Sequence, residues 1–288
     1  NDVAWNLLEA HELSGYFIVP KINWLPKSAN IRSIVRTLNL SFDAITFVDD
    51  DPFERAQVSY MLPGVHVLPP EDALQLCASP AEDAPPVTAE AKIRPRLYEE
   101  ERARAADARM FASREEFLLS CNMELTVRSA AHRDIPRVLE LITRTHQMNS
   151  TGMSVHETAL QHMIDHPEAG DHIDVAELRD RYGWCGIIVP AWTEQRETEC
   201  RLRLFAMSCR VMGRGIERAF LSSLIEKALQ NGGERVVALL RETEKNRMMR
   251  TMYQMAGFRQ HRAAEDGTLV FGLDFKQQAT CPHWVKKL

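Results

Sequence analysis

The chain has 288 residues, 45% of them hydrophobic and 26% charged, and a net charge of -5. This is the composition of a globular protein long enough to bury two cores, and its acidic balance argues against a nucleic-acid-binding face. No apolar run reaches membrane-spanning length, and Asn1-Asp2-Val3-Ala4-Trp5 lacks the pattern of a secretory signal.

The first segment reads as α/β. Trp5, Leu7, Leu8 and Leu13 predict a short helix, and Gly15-Tyr16-Phe17-Ile18-Val19 predicts a strand. Ser28 is placed to cap a helix whose apolar positions Ile31, Ile34, Val35 and Leu38 recur at helical spacing. The continuous apolar run from Ala44 to Val48 predicts a buried strand of a parallel sheet covered on both faces. Pro52 suits the first turn of the next helix, and Val65 to Leu68 predicts one more short strand.

From Pro69 to Pro95 the composition shifts, and Ser79-Pro80-Ala81-Glu82-Asp83-Ala84-Pro85-Pro86 reads as linker. Arg96 to Met110 follows as a highly charged helix, read as a solvated, ion-paired connector. These features predict a first domain over 1–78, a linker and connecting helix over 79–112, and a second domain over 113–288.

Within the second domain Ser113 caps a helix, Met123 to Val127 alternates as a strand, and Asp134 with Pro136 opens a helix carrying Ile135, Val138, Leu139 and Ile142. Strands are predicted at Gly186 to Val189, Cys200 to Ser208 and Arg235 to Leu240. A glycine-containing turn at Cys209 to Gly215 leads into a long helix that Gly232-Gly233 ends, and Arg247 to Met255 forms a helix closed by Gly257. The six cysteines (Cys77, Cys121, Cys185, Cys200, Cys209, Cys281) form no C-x-x-C pair and read as reduced thiols of a cytoplasmic protein. His156, His162, His166 and His172 lack the H-E-x-x-H pattern and read as surface residues.

Two constellations carry chemistry. In the first, the strand Ile45-Thr46-Phe47-Val48 ends in Asp49-Asp50-Asp51, and Lys27 precedes it at the start of a helix. Adjacent carboxylates can hold Mg²⁺, and a lysine at a helix N-terminus can neutralise a phosphoryl group. Each feature alone also occurs as a surface residue or a helix cap. In the order lysine, helix, strand, paired aspartates they resemble two motifs of the haloacid-dehalogenase-like (HAD-like) phosphatase fold.

With Asn23-Trp24, Lys27-Ser28-Ala29-Asn30-Ile31 and Val48-Asp49-Asp50-Asp51-Pro52-Phe53-Glu54-Arg55, the chain is similar to the FkbH-like glyceryl transferase/phosphatases of polyketide biosynthesis, over both segments. The resemblance implies that Lys27 neutralises a phosphoryl group and that Asp49 and Asp50 bind Mg²⁺. The family's aspartate nucleophile would lie upstream of Asn1, so the chain is expected to be phosphatase-dead alone, whether or not the natural polypeptide carries that half.

In the second constellation Arg210-Val211-Met212-Gly213-Arg214-Gly215 joins a strand to a helix. Glycines there let backbone amides approach an anion at the helix N-terminus. The spacing resembles the acyl-CoA-binding turn of the GNAT-like acetyltransferase fold, as do Asn246, Tyr253 and Gly257-Phe258. The resemblance implies a pantetheine site at Arg210 to Gly215 with Asn246, and a proton donor at Tyr253. Tyr253 also fits a half-buried helix position, and Asn246 a helix cap. Cys209 reads either as an acyl-carrying nucleophile at a helix N-terminus or as a small hydrophobe.

Thr145-His146-Gln147-Met148-Asn149 resembles a polar family segment, which puts His146, Gln147 and Asn149 in an acyl pocket or in a plain loop. Asp180-Arg181-Tyr182-Gly183 is family-like and also fits a turn. Arg210 and Arg214 are candidates for a basic patch that meets an acidic carrier.

The fold class expected is α/β, a partial HAD-like parallel sheet followed by a GNAT-like α/β domain. The activity implied is uptake of glyceryl from 1,3-bisphosphoglycerate, with phosphate loss, onto the phosphopantetheine thiol of an acyl carrier protein. Partners are then the carrier protein and the bisphosphoglycerate, without nucleic acid or membrane. A stand-alone acyl-CoA-dependent acyltransferase and a non-catalytic carrier-docking module stay open.

Overall fold

The computed structural model describes residues 2–38, 40–78, 88–167, 170–274 and 280–288. The expected linker from Ser79 to Pro86 lies outside the described residues. The chain divides into two compact units, one of residues 1–86 and 94–99, the other of 87–93 and 100–288. Residues 87–93 and 100–112 of the connector expected over 79–112 fall in the second unit.

In the first unit, α1 (Asp2–Ala10) is followed by α2 (Lys27–Leu38), β1 (Thr46–Val48), α3 (Pro52–Met61), β2 (His66–Leu68) and α4 (Pro70–Ala78). The strand expected at Gly15 to Val19 is instead a 3₁₀ turn over Ser14–Tyr16 followed by irregular chain. Ser28 sits inside the first turn of α2 and is buried there. Asp51 caps α3 by accepting the Phe53 amide at 2.8 Å, with Pro52 at the first helical position.

Strands β1 and β2 pair in parallel, Thr46 with His66, Phe47 with Val67 and Val48 with Leu68. Strand β1 is not covered on both faces: Thr46 and Val48 are exposed and Phe47 is half-buried. Ile31 and Val35 of α2 pack with Val58, Leu62 and Val65 into a small core. Among the described residues this unit's sheet is the parallel pair β1-β2, which by itself does not show the partial HAD-like sheet expected.

The second unit opens with α5 (Ala89–Lys92), capped by the Thr88 hydroxyl, which accepts the Ala91 amide at 3.0 Å. Then come α6 (Arg94–Asp107), whose last residues belong here, and α7 (Arg114–Ser120), capped by Ser113. Strand β3 (Met123–Ser129), α8 (Ile135–Arg144), α9 (Glu157–Asp165), β4 (Asp171–Asp180), β5 (Gly183–Arg196) and β6 (Glu199–Phe205) follow. The chain ends in α10 (Ile216–Gln230), β7 (Arg235–Leu240), α11 (Met248–Met255), β8 (Arg259–Ala263), β9 (Leu269–Asp274) and β10 (Val285–Lys287).

These strands form one mixed sheet in the order β10-β3-β4-β5-β6-β7-β9-β8. Pairs β10–β3 and β6–β7 are parallel and the rest antiparallel. Helices cover both faces, because each face presents its own apolar set. On one face Ile135, Val138, Leu141 and Ile142 of α8 and Leu160 and Met163 of α9 pack against Ile173, Val175, Ile187 and Leu204. On the other, Phe220, Leu221 and Leu224 of α10 and Met249, Met252 and Tyr253 of α11 join Leu125, Leu178, Leu202, Val236 and Phe271.

The charged helix α6 is more than a solvated connector. Arg104 is 5% exposed and donates from Nε and Nη2 to Asp180 Oδ2 at 3.1 and 2.8 Å. Helix α5 is fastened too: Glu90 is 6% exposed and accepts the Ile187 amide at 3.3 Å, beside Arg137, which donates to the Ile187 carbonyl. This buried pair satisfies the Ile187 amide and carbonyl next to the β-bulge at Ile188, where the register between β4 and β5 shifts.

Candidate functional site

The first-unit constellation assembles in part. Lys27, at the first position of α2, donates to Asp49 Oδ2 at 3.1 Å, while Asp49 Oδ1 accepts the Asp51 amide at 3.0 Å. Arg55 of α3 reaches back to the carbonyls of Asp49 and Asp50 at 2.7 and 2.9 Å, fixing the turn. Burial pushes the Asp49 carboxyl up, but the Asp51 amide, Lys27 and Arg55 outweigh it and hold its pKa below the ordinary value.

For Mg²⁺ the fit is incomplete. Both Asp49 oxygens already have partners, and among the described residues no three His, Cys, Asp or Glu side chains converge as a metal site. A hard cation needs several oxygen ligands, so Asp49 and Asp50 of this chain do not make a Mg²⁺ site by themselves.

In the second unit the geometry centres on β6 and β7. Their parallel pairing runs from Glu199↔Arg235 to Leu202↔Ala238 and stops, although β6 continues to Phe205 and β7 to Leu240. At that point Arg203 is bulged: Thr193 pairs with Leu202 and Trp192 with Leu204. The two strands part, as bulged strands beside functional sites do.

Beyond β6 a 3₁₀ turn over Cys209–Val211 leads to Gly213 and Gly215, which adopt φ of 73° and 81°. Only glycine adopts this left-handed backbone freely. Gly215 then opens α10 without a side-chain cap. Three carbonyls of the turn are tied by side-chain donors. Arg214 Nη2 donates to the Arg210 carbonyl at 2.8 Å, Arg114 Nη2 to the Gly213 carbonyl at 2.5 Å, and Trp284 Nε1 to the Arg214 carbonyl at 2.9 Å. Among the described residues the amides of Gly213 and Gly215 donate to no acceptor. With its oxygens tied back, the turn offers N–H groups to an anion at a helix N-terminus.

Arg214 itself does not form a surface patch. It is 6% exposed, with Nη1 3.4 Å from Asp180 Oδ2 and Nη2 bonded to Glu101. Its charge is used inside the fold, as is the Asp180-Arg181-Tyr182-Gly183 turn, where Asp180 Oδ1 accepts the Tyr182 and Gly183 amides at 2.9 and 3.2 Å. Arg210 is half-buried, its Nε 3.3 Å from the Ser208 hydroxyl; Val211 is buried and Met212 half-buried. Cys209 stands at the 3₁₀ turn rather than at the N-terminus of α10, so the helix dipole expected to activate it is not at its thiol.

The polar motifs from two distant parts of the sequence meet where β6 and β7 part. Asn149, 3% exposed, forms a bridge with Ala206, and Asn246, 2% exposed, donates from Nδ2 to the carbonyls of Asn149 and Arg241 at 2.9 and 3.0 Å. Asn246 Oδ1 also accepts the Thr243 amide at 2.7 Å, so the side chain ties a loop to the sheet instead of capping α11. His146 and Gln147, by contrast, are exposed at the loop's tip.

Ser150, not singled out in the sequence, is completely buried between the strands. Its amide donates to the Phe205 carbonyl and its hydroxyl accepts the Phe205 amide, both at 2.9 Å. The only sequence cue is its place after the Gln147-Met148-Asn149 motif. Tyr253 is fully buried rather than half-buried, against Phe258 and Phe271 at 5.5 and 5.6 Å. Burial pushes its hydroxyl pKa well above the usual tyrosine value, partly offset by a hydrogen bond with Ser150.

No protein-family model matches the chain, and no curated protein matches it. Solved structures similar to part of it include a ribosomal-protein-S18-alanine N-acetyltransferase from Escherichia coli, at 17% identity over 55% of this chain and 97% of that one, with a TM-score of 0.39. A PaiA N-acetyltransferase from Thermoplasma acidophilum in complex with coenzyme A is similar at 10% identity over 52% and 99%, with a TM-score of 0.43. A third, a putative GNAT-family acetyltransferase from Desulfovibrio desulfuricans, is similar at 19% identity over 52% and 98%, with a TM-score of 0.40. Among the described residues no helix is long and apolar enough to cross a membrane.

Proposed function

We propose that the second unit is an acyltransferase that takes its acyl group from a pantetheine thioester, with acyl-coenzyme A as the donor the geometry supports best. The observation that carries this reading is the Arg210 to Gly215 turn, whose carbonyls are tied back by Arg214, Arg114 and Trp284 while Gly213 and Gly215 keep left-handed backbone at the mouth of α10. Such a turn suits a pyrophosphate or phosphopantetheine phosphate. The parting of β6 from β7 beside it marks the path that this reading assigns to the acyl arm.

In the reaction an acceptor nucleophile attacks the thioester carbonyl. A bond to the acceptor forms as the C–S bond breaks, the thiolate leaves with its electron pair, and the acceptor gives up a proton. The leaving thiolate needs a proton in return. The Tyr253 hydroxyl, held protonated by its buried surroundings, is the donor this reading assigns.

A finer reading adds the first unit. Its Lys27–Asp49 pair favours a phosphorylated acyl donor, here the glyceryl group of 1,3-bisphosphoglycerate, with an acyl carrier protein as acceptor. Phosphate release is not assigned to this chain, because its Mg²⁺ ligands are incomplete.

Calorimetry with coenzyme A tests the first reading: binding is expected, and its loss in Gly215→Val is expected with it. Neither coenzyme A nor a phosphopantetheinylated carrier binding would overturn the reading. Intact-mass measurement of a carrier protein incubated with the chain and 1,3-bisphosphoglycerate tests the second. A glyceryl adduct that Lys27→Met abolishes supports it; carrier binding without any adduct points to a docking module.

A further inference from the structure

The gap between β6 and β7 is not left open. Residues Met148, Asn149 and Ser150 run through it as a third, short strand. On the β6 side the Ser150 amide donates to the Phe205 carbonyl at 2.9 Å and the Met207 amide to the Met148 carbonyl at 2.8 Å, with Asn149 opposite Ala206 in antiparallel register. On the β7 side the Arg241 amide donates to the Ser150 carbonyl at 2.8 Å. The segment thus bonds to both strands where they no longer bond to each other.

The flanks of this segment differ from its centre. His146 and Gln147 before it are exposed, and Gly152 after it takes φ of 60° with no atom within 4 Å of where a Cβ would stand. Met148, Asn149 and Ser150 are 3%, 3% and 0% exposed. The centre is held by side-chain bonds that can be exchanged. Asn149 Nδ2 donates to the Ile142 carbonyl at 3.1 Å, and its Oδ1 accepts the Gly152 amide at 2.9 Å. Asn246 clasps the Asn149 carbonyl from the other side.

Resting on the acyltransferase reading above, we propose that Met148 to Ser150 is an internal occupant of the acyl-arm path, a strand that must withdraw before a thioester can lie between β6 and β7. The partners it releases are backbone donors and acceptors: the Phe205, Met207 and Arg241 amides and the Phe205 carbonyl. An arm carrying amide groups can take up such bonds, whereas an arm without them leaves buried backbone groups unpaired. Ser150 also lies beside the Tyr253 hydroxyl, which donates to the Leu239 carbonyl at 3.5 Å, so the same withdrawal clears one side of the proton donor. The closed state lowers apparent affinity by the fraction of molecules that are closed.

Hydrogen-exchange mass spectrometry on the full chain, with and without coenzyme A, tests this. Peptides covering 148–152 are expected to exchange at least about tenfold faster once coenzyme A is bound, because local opening sets the exchange rate of a buried amide. Asn246→Ala removes the side-chain bond to the Asn149 carbonyl that helps hold the segment closed, and coenzyme A affinity, read by calorimetry, is expected to rise about fivefold or more. Coenzyme A binding with unchanged or greater protection of 148–152 would overturn the proposal. Binding by Asn246→Ala but not by the wild-type chain supports it. Coenzyme A binding by neither chain would overturn this proposal, while binding of a phosphopantetheinylated carrier protein by the wild-type chain would leave the acyltransferase reading standing.

Discussion

Replacing Asp180 by asparagine removes one negative charge from beneath the glycine turn while keeping the side chain's shape. Asp180 accepts from Arg104 Nε and Nη2 at 3.1 and 2.8 Å, and Arg214 Nη1 lies 3.4 Å away. The side chain of Asp180 is 0% exposed, and those of Arg104 and Arg214 are 5% and 8% exposed. With asparagine there, two buried guanidinium groups share the single carboxylate of Glu101. Removing one partner of a buried ion pair costs about 3–5 kcal/mol, because the remaining charge stays desolvated. For a unit of this size about 2–4 °C of melting temperature accompanies each kcal/mol, so the melting temperature is expected to fall by about 6–20 °C. Differential scanning calorimetry reads the shift, and coenzyme A affinity is expected to fall with it, since Arg214 belongs to the turn. A shift under about 2 °C would refute the reasoning, since it would mean that Glu101 or water compensates both arginines.

Three further outcomes are expected. Gly215→Ala puts a side chain on backbone with φ of 81° and a Cβ 2.8 Å from Pro282 Cγ; a loss of about 2–3 kcal/mol in urea unfolding is expected, from left-handed strain plus the close contact. Glu90→Ala leaves the Ile187 amide buried without its acceptor and opens a cavity, for about 2–4 kcal/mol by the same assay; an unchanged midpoint would show that residues 87–93 are not part of the unit. For Asp134, burial pushes the carboxyl up, but its Arg128 hydrogen bonds and the Ala131 amide outweigh burial and hold it below the ordinary 3.8. A carboxyl depressed in the folded state stabilises fully above its unfolded value and less as pH falls through its folded one. The stability gap between wild type and Asp134→Asn in acid titrations is therefore expected to be constant near neutrality and to close below pH 3.8.

Local signals in the sequence placed much of the second unit. Ser113 and Pro136 begin their helices where expected, and Gly213, Gly215 and Gly257 take the positive φ angles that their turns require. The strand β4 was not legible. Its Asp174, Glu177 and Asp180 interrupt any apolar pattern, and in the sheet they are neutralised by Lys227, Arg128 and Arg104, all far away in sequence. Strand β8 is exposed throughout, so it carries no alternation, and its pairing with β9 alone defines it. For the site, Asn149 and Asn246 were visible as residue types but not as a contact. Their meeting depends on where β6 and β7 part, a property of sheet twist and a bulge rather than of either segment. In the first unit the apolar run to Val48 suggested a covered strand, and a two-stranded sheet left half of it exposed.

Strand β10 lies beside β3, with Val285 opposite Met123 and Lys287 opposite Leu125, so the first strand of the sheet gains its outer neighbour from the last residues of the chain. During synthesis, at about 5–20 residues per second, β3 emerges many seconds before that neighbour does. For that interval its hydrogen-bonding edge is open to another nascent copy, with Leu125 and Val127 on the strand it would offer. The nascent sheet is thus exposed to wrong pairing from the emergence of β3 onward, and Val285 to Lys287 end that exposure only once they too have emerged.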